Sequence, residues 1–141
     1  MPDSKPSLAL RNLVRARAQE VCEYCLASSL YSSHPFAIDH IWPTSEGGKN
    51  DSENLAFVCQ HCNNSKYNKT EALDPMTGSM TRLFNPRLDD WAEHFMWNDG
   101  FTVILGITSM GRATVSCLKM NRESARNLRA ALHQFGVHPP Y

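Results

Sequence analysis

Apolar and polar positions change rhythm several times along the chain, and each change predicts an element. Ser7 caps a predicted helix over Leu8 to Glu20, with Leu10, Leu13, Val14 and Ala18 as its apolar stripe and Arg11, Arg15 and Arg17 largely outside it. The run "FAIDHIW" (36–42) reads as a short strand ended by Pro43. The polar stretch "TSEGGKNDSEN" (44–54) reads as a loop, "LAFVC" (55–59) as a short apolar strand, and "NNSKYNKTEAL" (63–73) as a short helix stopping before Pro75. Beyond "DPMTGSM" (74–80), "WAEHFMW" and "FTVILGIT" read as two strands joined by a hairpin at Asn98-Asp99-Gly100. "MGRATVSCLKM" and "NRESARNLRAALHQF" read as two helices, the second ending at Gly136.

Length changes little in this picture: 141 residues suit one domain, taken here as 1–141. No apolar run approaches bilayer-spanning length, and the N-terminus lacks the apolar core of a signal peptide, so the expected location is cytoplasmic with no membrane partner. Formal net charge is zero, from 14 basic and 14 acidic side chains, which by itself speaks against a strongly cationic duplex binder. The distribution softens that objection. Residues 38–75 hold three basic and six acidic side chains, a surplus that a metal cation would offset, and both flanks are slightly basic.

The cysteines add the first chemistry. Cys22 and Cys25 in "CEYC", and Cys59 and Cys62 in "CQHC", form two C-x-x-C pairs with 33 residues between them. Two such knuckles present four thiolates to one tetrahedral Zn²⁺, and four protein ligands leave no open position, so this zinc would be structural. Disulfides or a redox pair are the competing readings; a reducing compartment favours zinc. Cys117 reads as a small buried apolar residue.

Inside the first strand stand Asp39 and His40, an anion beside an imidazole in an apolar setting. A buried charge is costly unless it is paired or holds a metal. From Cys22 to Lys66 the order is C-x-x-C, D-H-I-x-P, G-G, N-L, then C-x-x-C-N-x-x-K. On those residues the chain resembles the HNH endonucleases with a ββα-metal core, in the subtype stapled by a four-cysteine zinc. More loosely, residues 82–122 resemble the C-terminal part of bacterial standalone members.

The resemblance implies an α+β fold: a zinc-stapled core over about 20–73 and a C-terminal hairpin-plus-helix extension over about 80–136. It implies metal-dependent hydrolysis of DNA phosphodiesters, leaving 5′-phosphate and 3′-hydroxyl ends. His40 corresponds to the general base, and imidazole chemistry near neutral pH suits that role. Asp39 and Asn63 correspond to the ligands of the catalytic ion. Many members carry histidine where this chain has Asn63; two oxygen donors suit Mg²⁺ or Mn²⁺. Asn54 corresponds to the middle asparagine, expected to bond loop backbone and hold the strand end that carries His40. Lys66, at i+3 from Asn63, is either a phosphate contact or a solvated lysine. His61 reads as an exposed knuckle residue, and His34, His94, His133 and His138 have no constellation around them.

Trp91, Trp97, Phe95 and Phe84 are expected in the C-terminal core. Arg112, Arg122, Arg126 and Arg129 are expected on a solvated face, with a phosphate-contacting face as the alternative. Two other functional readings stay open: a non-catalytic zinc module that binds nucleic acid or protein, and the same chemistry on RNA. Oligomeric state is not legible in the sequence.

Overall fold

The computed structural model describes residues 5–141, which fall into two compact units. The first runs to Thr70 and includes Asn85–Arg87; the second holds Glu71–Phe84 and Leu88–Tyr141. No described helix is long and apolar enough to cross a membrane.

The first unit begins with α1 (Leu8–Ala18), whose N-cap Ser7 accepts the Leu10 amide. The helix stops two residues short of the expected end because Gln19 and Glu20 both turn to positive φ, and Arg15 reaches back to bind Glu20. Strands β1 (Ala37–His40) and β2 (Leu55–Val58) pair antiparallel, with Asp39 opposite Ala56 and His40 opposite Leu55. All four residues of β2 are buried. Val14 and Ala18 of α1 pack on Leu55 and Phe57, with Leu10, Phe36 and Ile38 around them. Leu13, expected in that stripe, is exposed. Helix α2 (Gln60–Lys66) succeeds β2, completing a ββα unit.

The expected helix over 63–73 is corrected at both ends. Helix α2 starts earlier, capped by the Cys59 sulfur, and ends at Lys66. Residues Glu71–Leu73 instead form β3, paired antiparallel with β4 (Met80–Arg82). The turn between them is built by Asp74, whose carboxylate accepts from the Met76 amide and the Thr77 hydroxyl, and by Gly78 at φ 75°.

In the second unit, the expected strand 91–97 divides into a single helical turn, α3 (Trp91–His94), and β5 (Phe95–Trp97). β5 pairs with β6 (Ile104–Gly106), and α4 (Ser109–Cys117) and α5 (Glu123–Gln134) come after it. Phe84 and Phe95 are buried and meet edge to face, while Trp91 and Trp97 are half-buried. A Cβ on Gly111 would lie 2.0 Å from the His94 carbonyl oxygen, so this contact admits only glycine. Cys117 is half-buried rather than buried. Arg129 departs from the expected solvated face: it is 6% exposed, donates to the Met120 and Thr102 carbonyls, and lies over the Trp97 ring.

These elements are α+β with small antiparallel sheets; Cys59 and Cys62 lie at the β2–α2 junction of the ββα unit, and Cys22 and Cys25 precede it, after α1.

Candidate active site and metal centre

The four cysteine sulfurs lie within 4.8 Å of one another, and all four residues are buried. A tetrahedral ion with metal–sulfur bonds of about 2.3 Å requires sulfurs roughly 3.8 Å apart. Cys25 and Cys59 stand at 3.7 Å, which fits. Burial pushes the Cys22 thiol well above its ordinary range, and the neighbouring sulfurs push Cys62 the same way. A cation at the centre reverses that cost by binding thiolates. The chain makes the geometry locally: Leu26 at φ 63° turns the first knuckle so that its amide meets the Cys22 carbonyl, and Cys59 caps α2.

The second site lies at the open end of β1. A cleft of about 350 Å³ is lined by Asp39, His40, Pro43, Thr44, Asn63, Tyr67 and their neighbours. It therefore brings together three of the residues picked from the sequence, two from β1 and one from α2.

Loop 44–54 makes the wall of this site, and its glycines explain how. Gly47 adopts φ 90°. A Cβ on Gly48 would sit 1.7 Å from the Trp42 carbonyl oxygen, so only glycine lets the loop fold back onto the strand end. Asn54 then clamps that approach. Its side-chain oxygen accepts the Trp42 amide at 2.8 Å, and its nitrogen donates to the Trp42 and Lys49 carbonyls at 3.0 Å each. It touches backbone throughout.

The returning loop delivers Asn50, a residue to which the sequence pattern assigns no role. Asn50 Oδ1 lies 2.5 Å from His40 Nε2. An amide oxygen only accepts, so this contact is a hydrogen bond in the tautomer that carries its proton on Nε2, which leaves the Nδ1 lone pair free. The signal in the sequence was Asn50 itself, two residues after Gly-Gly; its partner is set by the loop path.

Asp39 is 6% exposed and rests on Lys66, whose Nζ stands 3.0 Å from Oδ2 in an ion pair. Lys66 also donates to the His40 and Ile41 carbonyls at 3.2 Å each. Burial pushes the Asp39 carboxyl above the usual carboxylate range, while Lys66 and, less strongly, His40 pull it back. Lys66 itself is 1% exposed. The solvated-lysine alternative is corrected: the ammonium is spent inside the fold, on Asp39 and two β1-end carbonyls.

Asn63 is half-buried, one turn before Lys66, and its side-chain amide has no partner among the described residues. Its backbone carbonyl accepts the Tyr67 amide that closes α2. An amide oxygen and a carboxylate in one cleft form a hard donor set, suited to a small divalent cation completed by water and substrate oxygens. His61 faces Ser65 instead, at 3.3 Å, and does not line the cleft.

Comparison with protein families matches residues 22–69 to the family described as HNH endonuclease. Comparison of the chain with curated proteins finds no match. The matched segment runs from the first zinc-knuckle cysteine past the end of α2, so it contains both sites.

Proposed function

We propose that the HNH domain matched at residues 22–69 hydrolyses phosphodiester bonds in DNA, with His40 as general base and Asp39 and Asn63 as the protein ligands of a catalytic Mg²⁺ or Mn²⁺. The observation that carries this reading is the single cleft lined by His40, Asp39 and Asn63, with His40 Nε2 engaged by Asn50. A divalent ion held there supplies Lewis-acid stabilisation of the phosphate and of the leaving oxygen.

The chain's own residues do the rest. With its proton on Nε2, His40 takes the proton of an attacking water at Nδ1. The water oxygen forms a bond to phosphorus as the bond to the 3′ oxygen breaks, and that oxygen leaves with a proton from solvent. Asn50 keeps the ring from rotating, and Asn54 keeps the strand end and loop at fixed separation. Lys66 offsets the charge of Asp39 from below, so the protein's contribution to the ion site is nearly neutral. Asp39 and Asn63 alone would hold such an ion weakly, and substrate phosphate would strengthen its binding. The four-cysteine site takes no part in this chemistry; it ties the segment after α1 to the β2–α2 junction.

The test is incubation of the purified protein with supercoiled plasmid in Mg²⁺, Mn²⁺ or excess EDTA, beside a His40→Ala control. Relaxed or linear plasmid should form with the first two ions only, and His40→Ala should lose about 10²–10⁴-fold in rate. Equal cleavage by His40→Ala would refute the assignment.

A further inference from the structure

Tyr67 stands directly after α2 and lines the cleft with Asp39, His40 and Asn63. Its backbone adopts φ 51°, ψ −116°, a region that side-chain-bearing residues rarely enter and glycine enters freely. The conformation is imposed by its neighbours. The Lys66 side chain runs beneath β1 to Asp39, the Tyr67 amide closes α2 on the Asn63 carbonyl, and Lys69 turns back to the Lys66 carbonyl.

Glycine would satisfy every one of those backbone constraints without strain. Packing does not explain the tyrosine, since its residue is 74% exposed. Among the described residues no hydrogen bond or ring contact holds its side chain. The fold thus carries a largely exposed aromatic residue in a strained conformation, at the mouth of the proposed active site. Strain of this kind clusters at active sites and ligand clamps.

We propose that Tyr67 is a nucleotide contact, its ring packing against a nucleotide that flanks the scissile phosphate. This rests on the nuclease reading above and adds to it a substrate-binding residue. Packing the ring on the sugar of a flanking nucleotide buries apolar surface on both and touches no base edge, so the contact would serve affinity with little sequence preference.

Stability and binding should move in opposite directions in one variant. Tyr67→Gly removes the strain and the ring together; Tyr67→Phe keeps both. Binding of a labelled DNA duplex is measured in a His40→Ala background to prevent cleavage, KM for plasmid in the parent background, and Tm for all. Tyr67→Gly should melt about 2 °C or more higher and bind DNA about fivefold or more weaker, with KM raised in step. Tyr67→Phe should stay within about twofold of the parent in binding. Unchanged binding and KM in Tyr67→Gly would overturn the contact, and a lowered Tm would show that the ring is structural. If the parent cleaves and Tyr67→Gly cleaves with the same KM, only the Tyr67 assignment fails. If the parent binds DNA through Tyr67 without cleaving it, the contact stands and the chemistry falls.

Discussion

The Lys66 ammonium lies 3.0 Å from the Asp39 carboxylate, with both side chains almost wholly buried. Removing one member of such a pair leaves the other as an uncompensated buried charge, at a cost of about 3–5 kcal/mol. Lys66→Met should therefore lose stability on that scale in urea unfolding. Unfolding at the parent midpoint would contradict the pair's structural role. With Lys66 spent on Asp39 and two carbonyls, the salt dependence of DNA binding by any folded Lys66 variant should keep the parent slope. A phosphate contact would reduce that slope by about 0.9.

The contact from Asn50 to His40 Nε2 makes a second, separable prediction. Asn50→Ala should lower kcat by roughly 10-fold, less than the ~10²–10⁴ of the base itself, with KM little changed. Nitrogen-15 NMR of the His40 ring should show the proton on Nε2 in the parent and a mixture of tautomers in Asn50→Ala. A parent ring protonated at Nδ1 would remove Asn50 from the mechanism.

The four-cysteine cluster should hold one zinc per chain. Structural zinc contributes about 10–16 kcal/mol of binding in small sites, so Cys59→Ser should give an unfolded or aggregating protein, and a strong chelator should unfold the parent. A reduced, folded sample containing no zinc would argue against this.

Ion preference depends on Asn63, which shares the cleft with Asp39. Asn63→Ala should lose Mg²⁺-dependent cleavage and keep its zinc. Asn63→His should shift activity towards Ni²⁺ or Co²⁺, since imidazole suits softer ions. A metal titration on one plasmid substrate compares all three proteins, and full activity in Asn63→Ala would send the search for the second ligand elsewhere.

In the second unit Asp74 binds Arg112 through both oxygens, at 3.0 and 2.9 Å. The Arg112 guanidinium holds the Asp74 carboxyl far below the usual carboxylate range. A carboxylate with a depressed folded-state pKa stabilises fully above its unfolded value, about 3.9, and loses that contribution as pH falls through the folded one. Asp74→Asn should melt below the parent at pH 7, and the gap should narrow below about pH 4. A gap that stays constant down to pH 2 would mean the pair carries no charge-dependent stability.

What the sequence determined was local. The two C-x-x-C knuckles close over four residues each, so their spacing pointed to a four-sulfur site, which the fold assembles. The short apolar runs 36–42 and 55–59, bounded by Pro43 and the polar loop, gave the two strands, and the family resemblance gave Asn54. Tertiary structure decided the rest. β3 and β4 pair across Asp74, and the sparse apolar pattern of 71–73 has no period of its own to show it. Lys66 reads as a surface lysine until β1 lies over it and offers a carboxylate and two carbonyls from 25 to 27 residues away. Asn50 reaches His40 only because Gly48 lets the loop touch the strand end. Each of these is a contact between segments whose meeting depends on the packed fold, and a residue's own type and neighbours in the chain do not encode which distant group it will face.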